Sequence, residues 1–324
     1  MSWLTRTLCP LPALFALSVA PAVAQQFPVK PLRLVVGFVT GGPSDFVARL
    51  VATGLSERIG QQVIVENRPG ASGIVGAEAV AKAPGDGYML YLASQTTHAV
   101  APAMYPRVPY DPLRDFTPIV RVAHNPLLLV VHPSLPVKSV KDLIALARAR
   151  PGQINFATGG IGSSPHMSME LVKAMTRTDM VPVNYKGDGA AIIDLLGGHV
   201  QVFQASIGTL LPHVRSGKLR GIAVTSLKRS AMAPEFPTWD ESGLPGLEVL
   251  TWFGILSGPN TPAPVVNRLN SEILQAVAAP AARDQLLKNG FEILSNTPEE
   301  YAEYLRSEVV RWGRIVKDLG LKAD

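Results

Sequence analysis

Cysteine occurs once in the 324 residues, as Cys9, so the chain has no disulfide framework and no thiolate metal site. Aromatic residues amount to 6% and do not cluster, which argues against a platform for stacking bases. Charge of one sign is also scarce: 30 Lys and Arg stand against 25 Asp and Glu, a net charge of +5, with no run of five basic residues. Nucleic acid is therefore not an expected partner. Catalytic signatures are missing as well. There is no Gly-x-Ser-x-Gly elbow, no Gly-Lys-Ser/Thr phosphate loop and no His-Glu-x-x-His pair. The six histidines, His98, His124, His132, His166, His199 and His213, are scattered. His166 and Glu170 share a helical face, but two groups make a helix-start hydrogen bond more readily than a metal site, so no metal and no cofactor are expected. Gly70, Gly73 and Gly76 follow Arg68-Pro69 rather than a strand end and lack the dinucleotide spacing.

What is present begins with the first 24 residues. Arg6 supplies a positive start, residues 11–19 are apolar, and Ala22-Val23-Ala24 has the small-x-small form of a signal cleavage site. Pro10, Pro12 and Pro21 break this stretch, which falls short of the ~20 residues of a membrane span. Cleavage after Ala24 is expected, giving an exported protein without cysteine. No later stretch is long and apolar enough to span a bilayer.

Hydrophobicity, 47% of the chain, is distributed as short apolar runs alternating with helical periods. Strands are expected at residues 32–38, 63–65, 88–93, 127–131, 154–157, 180–183, 200–204, 219–225 and 251–256. Helices are expected at residues 46–59, 74–83, 140–150, 167–175, 190–196 and 209–215, and after Pro262, Pro280 and Pro298. Thr297-Pro298-Glu299-Glu300 combines an N-cap, Pro at the first helical position and Glu at the third. Strands without alternation, separated by helices, predict an α/β protein with parallel sheets covered on both faces.

Two Gly-rich turns join a strand to a helix, Thr40-Gly41-Gly42-Pro43-Ser44-Asp45 and Gly159-Gly160-Ile161-Gly162-Ser163-Ser164-Pro165-His166. Glycine there lets backbone amides approach a ligand at a helix N-terminus, where an anion is favoured. The bland alternative is a tight turn with Ser44 and Ser164 as caps and Asp45 complementing the dipole. Residues 94–98, with Ser94 and Thr96, add hydroxyls after another strand. A second function class also fits the residues: an exported hydrolase with Ser163 or Ser164 as nucleophile and His166 as base. The short spacing and the lack of an orienting third residue argue against it.

The stretches VVGFVTGGPSD, VIVENRPGASGIVGAEAVAKAPGDGY, YDPLRDFTPI, NFATGGIGSSPHMSMELV, YKGDGAAIIDLLGGHVQV and LPHVRSGKLRGIAVTS resemble, in order, the Bug family. These are the periplasmic solute-binding receptors of tripartite tricarboxylate transporters. The resemblance implies a type II periplasmic binding protein fold, with two parallel-sheet lobes joined by two crossovers. Residues 25–123 with 249–324 would form the first lobe and residues 124–248 the second. It implies a monomeric receptor for a small carboxylate, a di- or tricarboxylate or an aromatic acid, delivered to membrane transporter subunits or a sensor. The implied ligand site comprises Phe38, Thr40, Gly41, Gly42, Ser44, Asp45, Ser94, Thr96, Gly160, Gly162, Ser163, His166 and Tyr185. Some positions depart from the family. Gly37-Phe38-Val39-Thr40 stands where relatives usually have Pro-Phe and a further Pro, Ala101 replaces a common Asn, and Asn184 a common Pro. Gln201 and Ala205 stand where many relatives carry acids. An acid at either place could pair an ammonium group, so their loss points to a ligand without an amino group.

Overall fold

In the strand β1 (Leu32–Val36) four of five residues are apolar and fully buried, so both faces of the strand must be covered. The computed structural model describes residues 27–323; the expected signal segment and its cleavage site lie outside the described residues. After β1 the chain turns through Gly41 and Gly42 into α1 (Pro43–Ile59), with Pro43 in the first helical turn and Gly60 closing the helix in the left-handed conformation. β2 (Val63–Asn67), α2 (Ile74–Ala81) and β3 (Met89–Ser94) follow, then a wide turn at Thr96–Val100 that leads into α3 (Ala101–Met104). β4 (Thr117–Val131) is the longest strand. It is succeeded by α4 (Val140–Ala149), β5 (Asn155–Thr158), α5 (Ser164–Thr176), β6 (Val181–Asn184) and α6 (Asp188–Leu196). The chain continues through β7 (Val202–Ser206), α7 (Ile207–Arg215), β8 (Arg220–Val224), β9 (Leu250–Ser257), α8 (Ala263–Ala278), α9 (Pro280–Lys288), β10 (Glu292–Ile293) and α10 (Pro298–Asp318).

The strand order is β2-β1-β3-β9-β4-β7-β5-β6, with β8 and β10 both pairing with β4. The expected parallel pairing holds in β2-β1-β3 and in β7-β5-β6. β4 and β9 pair antiparallel with each other and with β3 and β7, because they carry the chain from one half to the other and so enter each sheet from the opposite end.

Only residues 127–131 of β4 read as strand in the sequence. The preceding part holds Pro118, Arg121, His124, Asn125 and Pro126, which break an apolar run, and proline removes a ladder donor. Pro118 sits at a register shift against β9. Pro126 stands where β4 exchanges β9 for β7, with Pro126 opposite Leu250 and Leu127 opposite Ser206. Neither proline therefore costs a regular ladder bond.

The predicted caps form. Thr297 Oγ1 accepts from the Glu300 amide at 3.2 Å and Glu300 Oε2 from the Thr297 amide at 2.8 Å, completing a capping box. Ser139 Oγ accepts from the Asp142 amide at 3.1 Å. α10 inserts Trp312 into the core beside Trp252 of β9, and Glu308 accepts from both indole nitrogens, at 3.1 and 2.9 Å. Separate clusters of buried Leu, Val, Ile and Phe fill the two halves, each large side chain contributing ~1.5–3 kcal/mol by leaving water. No helix among the described residues is long and apolar enough to cross a membrane.

Candidate functional site

Helices α1, α5, α6 and α7 begin at the wall of one cavity of about 580 Å³, where the N-cap of α2, Gly73, also lies. α1 brings Gly42, Pro43 and Ser44, α5 brings Ser163, Ser164 and Pro165, α6 brings Gly187 and Asp188, and α7 brings its N-cap Ser206. Each follows a strand whose carboxyl end reaches the same place, the usual position of a ligand crevice in α/β sheets. The first amides of a helix have no partner inside it, and the helix dipole places partial positive charge there. The cavity lies between the halves: Phe38, residues 69–73, Ser94 and Thr96 come from the β1-β3 side and Gly159, Gly160, Ile161 and Tyr185 from the β5-β6 side. Asn125 and Leu127 of β4 and Thr251 and Phe253 of β9 complete the lining where the crossover strands run.

The lining is mostly neutral. Ser94 Oγ and Asn125 Oδ1 are buried without a hydrogen-bond partner among the described residues, so both are available to a ligand or to solvent. Lys186 and Asp188 are the charged residues of the wall. Burial raises the Tyr185 hydroxyl to about 12, helped by its 2.7 Å hydrogen bond to Asp194 Oδ2, so it remains a neutral donor already engaged. Asp188 accepts no hydrogen bond from any described residue, and desolvation pushes its pKa up to about 6.

Eight of the thirteen residues expected at the site line the cavity: Phe38, Gly42, Ser44, Ser94, Thr96, Gly160, Ser163 and Tyr185. Thr40, Gly41, Asp45, Gly162 and His166 do not. Thr40 is exposed on the outer turn. Asp45 faces back into the protein, where Oδ2 accepts from the Gly41 amide at 3.0 Å and Arg49 Nε at 2.9 Å, and Oδ1 from Asn67 Nδ2 at 3.0 Å. Burial works to raise its pKa, but these hydrogen bonds outweigh it and hold the carboxyl below the ordinary value. Asp45 thus fixes the first loop rather than meeting a ligand.

Gly162 turns away from the cavity toward Val100 and Met104 of the other half, and its amide donates to His166 Nδ1 at 3.2 Å. Burial lowers the His166 pKa, with Glu170 opposing, so the ring is neutral with its other nitrogen 4.0 Å from Glu170 Oε1. Ser163 Oγ accepts from the His166 amide at 3.4 Å, and Ser164 Oγ donates to Gln95 Oε1 at 2.6 Å. Neither hydroxyl meets the imidazole, which removes the nucleophile–base contact a serine hydrolase requires.

Gln201 Oε1 accepts from the Asn155 amide at 3.0 Å and Ala205 is fully buried in the core. Neither position faces the cavity, which removes the basis for expecting a ligand without an amino group. Residues missed from the sequence include Ser72, Asn125, Asp188, Ser206, Thr251 and Phe253. Ser72 and Asp188 had a local signal, a polar residue within a Gly-rich turn before a helix. Ser72 Oγ crosses the cleft to donate to the Ile161 carbonyl at 2.9 Å and stands 2.9 Å from Tyr105 Oη.

Residues 47–321 match the family profile described as "Tripartite tricarboxylate transporter family receptor". The chain is 40% identical over 299 residues to the "UPF0065 protein in tcbD-tcbE intergenic region" of Pseudomonas sp. (strain P51), covering 92% of this chain and 89% of the relative. It is 36% identical over 304 residues to BugT of Bordetella pertussis, covering 94% and 93%. Among solved structures, an R. palustris protein with adipate superposes with a TM-score of 0.86 at 36% identity, covering 91% of this chain and 99% of that one. MatC from Rhodopseudomonas palustris with bound malate gives 0.83 at 31% identity, covering 90% and 100%. The periplasmic binding protein BugD gives 0.84 at 32% identity, covering 92% and 100%.

Proposed function

The chain belongs to the tripartite tricarboxylate transporter receptor family, and from that premise we propose that it is an exported periplasmic receptor for a small carboxylate. The observation that carries this is the convergence of the N-termini of α1, α5, α6 and α7, from both halves, on one cavity whose wall, apart from Lys186 and Asp188, is built from neutral hydroxyls, amides and apolar side chains. A carboxylate held between the turn at Gly42 and Ser44 and the turn at Ser163 takes backbone amides and hydroxyls as donors, with no fixed cation needed. Phe38, Leu127 and Phe253 offer apolar surface to the body of the ligand. Relatives solved with adipate and with malate support a small organic acid of about that size as the ligand class.

The receptor acts as a monomer of two lobes, residues 25–123 with 249–324 and residues 124–248. This division is supported by the exchange of partners along β4, from β9 up to Pro126 to β7 from Leu127. Removal of residues 1–24 on export leaves it in the periplasm, where it passes its load to the membrane subunits of a transporter or to a sensor protein.

Thermal-shift measurements on refolded, ligand-stripped protein against mono-, di- and tricarboxylates and aromatic acids test this. A ligand bound only by the native state adds RT ln(1 + [L]/Kd), ~2.7 kcal/mol at about a hundredfold excess over Kd. At least one acid should stabilise the protein in a saturable way and be recovered unchanged. If no acid does, the carboxylate-receptor function is wrong.

A further inference from the structure

Asp188 is the acidic residue of the cavity wall, and no described residue pairs with it. It stands at the first position of α6, yet it accepts none of the helix amides that a helix-start carboxylate ordinarily takes, nor any hydrogen bond from another described residue. Among the described residues no Lys, Arg or His stands within ion-pair distance, and its neighbour Lys186 is exposed. Space for the carboxyl is provided by the neighbouring loop after β5: a Cβ on Gly159 would collide with Asp188 Oδ1. Gly159 and Gly187 are tied by a backbone hydrogen bond of 3.2 Å, which fixes the two loops against each other. The acid is thus seated by glycine at the cavity wall, half-buried and without a donor from any described residue. A ligand that displaces solvent from it must supply a hydrogen-bond donor in its place.

Resting on the receptor function proposed above, we propose that Asp188 selects the end of the ligand remote from the anchored carboxylate by accepting a hydrogen bond from it. The ligand is then an organic acid whose other end carries a hydroxyl, amide or ammonium group rather than a second ionised carboxylate. Two carboxylates sharing one low-dielectric wall repel, and each raises the other's pKa. Asp188 is already pushed up to about 6 by burial alone, so a fully ionised dicarboxylate meets an unfavourable charge that a donor-ended acid does not.

Calorimetry on refolded, ligand-stripped protein at about pH 7.5 tests this with three matched frames. The first is adipate, 6-hydroxyhexanoate, adipamate and 6-aminohexanoate; the second is the corresponding succinate series; the third is terephthalate with its 4-hydroxymethyl, 4-carbamoyl and 4-aminomethyl benzoate analogues. In each frame that binds, at least one donor-ended acid should bind wild type about tenfold or more tightly than the dicarboxylate. Asp188→Asn, whose amide can also donate, should bring that ratio to about threefold or less, chiefly by improving the dicarboxylate. Asp188→Ser, which removes the charge with a smaller group, should move the ratio the same way. Tighter binding of the dicarboxylate by wild type, or a ratio unchanged in both variants, overturns the role of Asp188 while leaving the receptor intact. If no acid in any frame binds wild type or either variant, the carboxylate-receptor function falls and this proposal falls with it.

Discussion

Replacing Asp188 by Asn should stabilise the ligand-free protein at neutral pH, an effect independent of which ligand the cavity takes. Desolvation raises the Asp188 pKa from the ordinary 3.8 to about 6. Each pKa unit is about 1.4 kcal/mol, so ionising this carboxyl in the native state costs about 3 kcal/mol as an upper bound. Two features reduce that figure. Asp188 keeps partial contact with solvent, and the N-terminus of the nine-residue α6 favours a negative charge by ~0.3–1 kcal/mol. A net gain of about 1–2 kcal/mol is expected for Asp188→Asn at pH 7.5, a rise in Tm of about 2–6 °C. The sign with pH follows from proton binding. Between the ordinary 3.8 and about 6 the native state holds more protons than the unfolded chain, so wild-type stability falls as pH rises through that window. The advantage of the variant should therefore be near zero at about pH 4, grow through pH 5, and be complete by about pH 7. Thermal melts of both stripped proteins from about pH 4 to 8 measure this directly. A variant less stable than wild type at neutral pH, or a difference that does not change with pH, would refute the uncompensated-carboxylate account.

Two further outcomes are expected. Ser72→Ala removes the hydroxyl that crosses the cleft to the Ile161 carbonyl, so it should weaken ligand binding by ~0.5–1.5 kcal/mol with little effect on the fold. Unchanged affinity by calorimetry would show that this contact does not contribute to ligand binding. Glu308→Ala leaves the Trp252 and Trp312 indole nitrogens buried without an acceptor and should cost ~2–4 kcal/mol of stability by urea denaturation. A loss below about 1 kcal/mol would mean that solvent reaches the indoles.

Much of the fold was legible because its signals are local. The apolar runs of β1, β3, β5 and β7, the Gly-rich turns before α1 and α5, and the box at Thr297 and Glu300 each depend on a few neighbouring residues. The first ten residues of β4 were not legible, because their strand character comes from pairing with β9, distant in sequence, rather than from an apolar pattern. The site divides along the same line. Gly42, Ser44 and Ser163 announce themselves as glycine and hydroxyl residues at helix starts, whereas Asn125 and Phe253 enter the cavity only because the crossover strands pass there.

Orientation is what the sequence left undetermined. Asp45 and Asp188 look alike on paper, each an acid in the first turn of a helix that a glycine precedes, at the third and the first helical position respectively. Tertiary packing gives Asp45 to Arg49, Asn67 and the Gly41 amide and leaves Asp188 at the cavity wall without a partner among the described residues. His166 likewise belongs to the Gly162 amide rather than to a neighbouring hydroxyl, and Gln201 and Ala205 point away from the ligand space. Residue type and spacing along the chain determined which groups are available and that helix N-termini would face a crevice. Which of those groups spend their hydrogen-bonding capacity on the protein and which keep it for a ligand was decided by long-range contacts, since a side chain's partners are set by what packs against it from elsewhere in the chain.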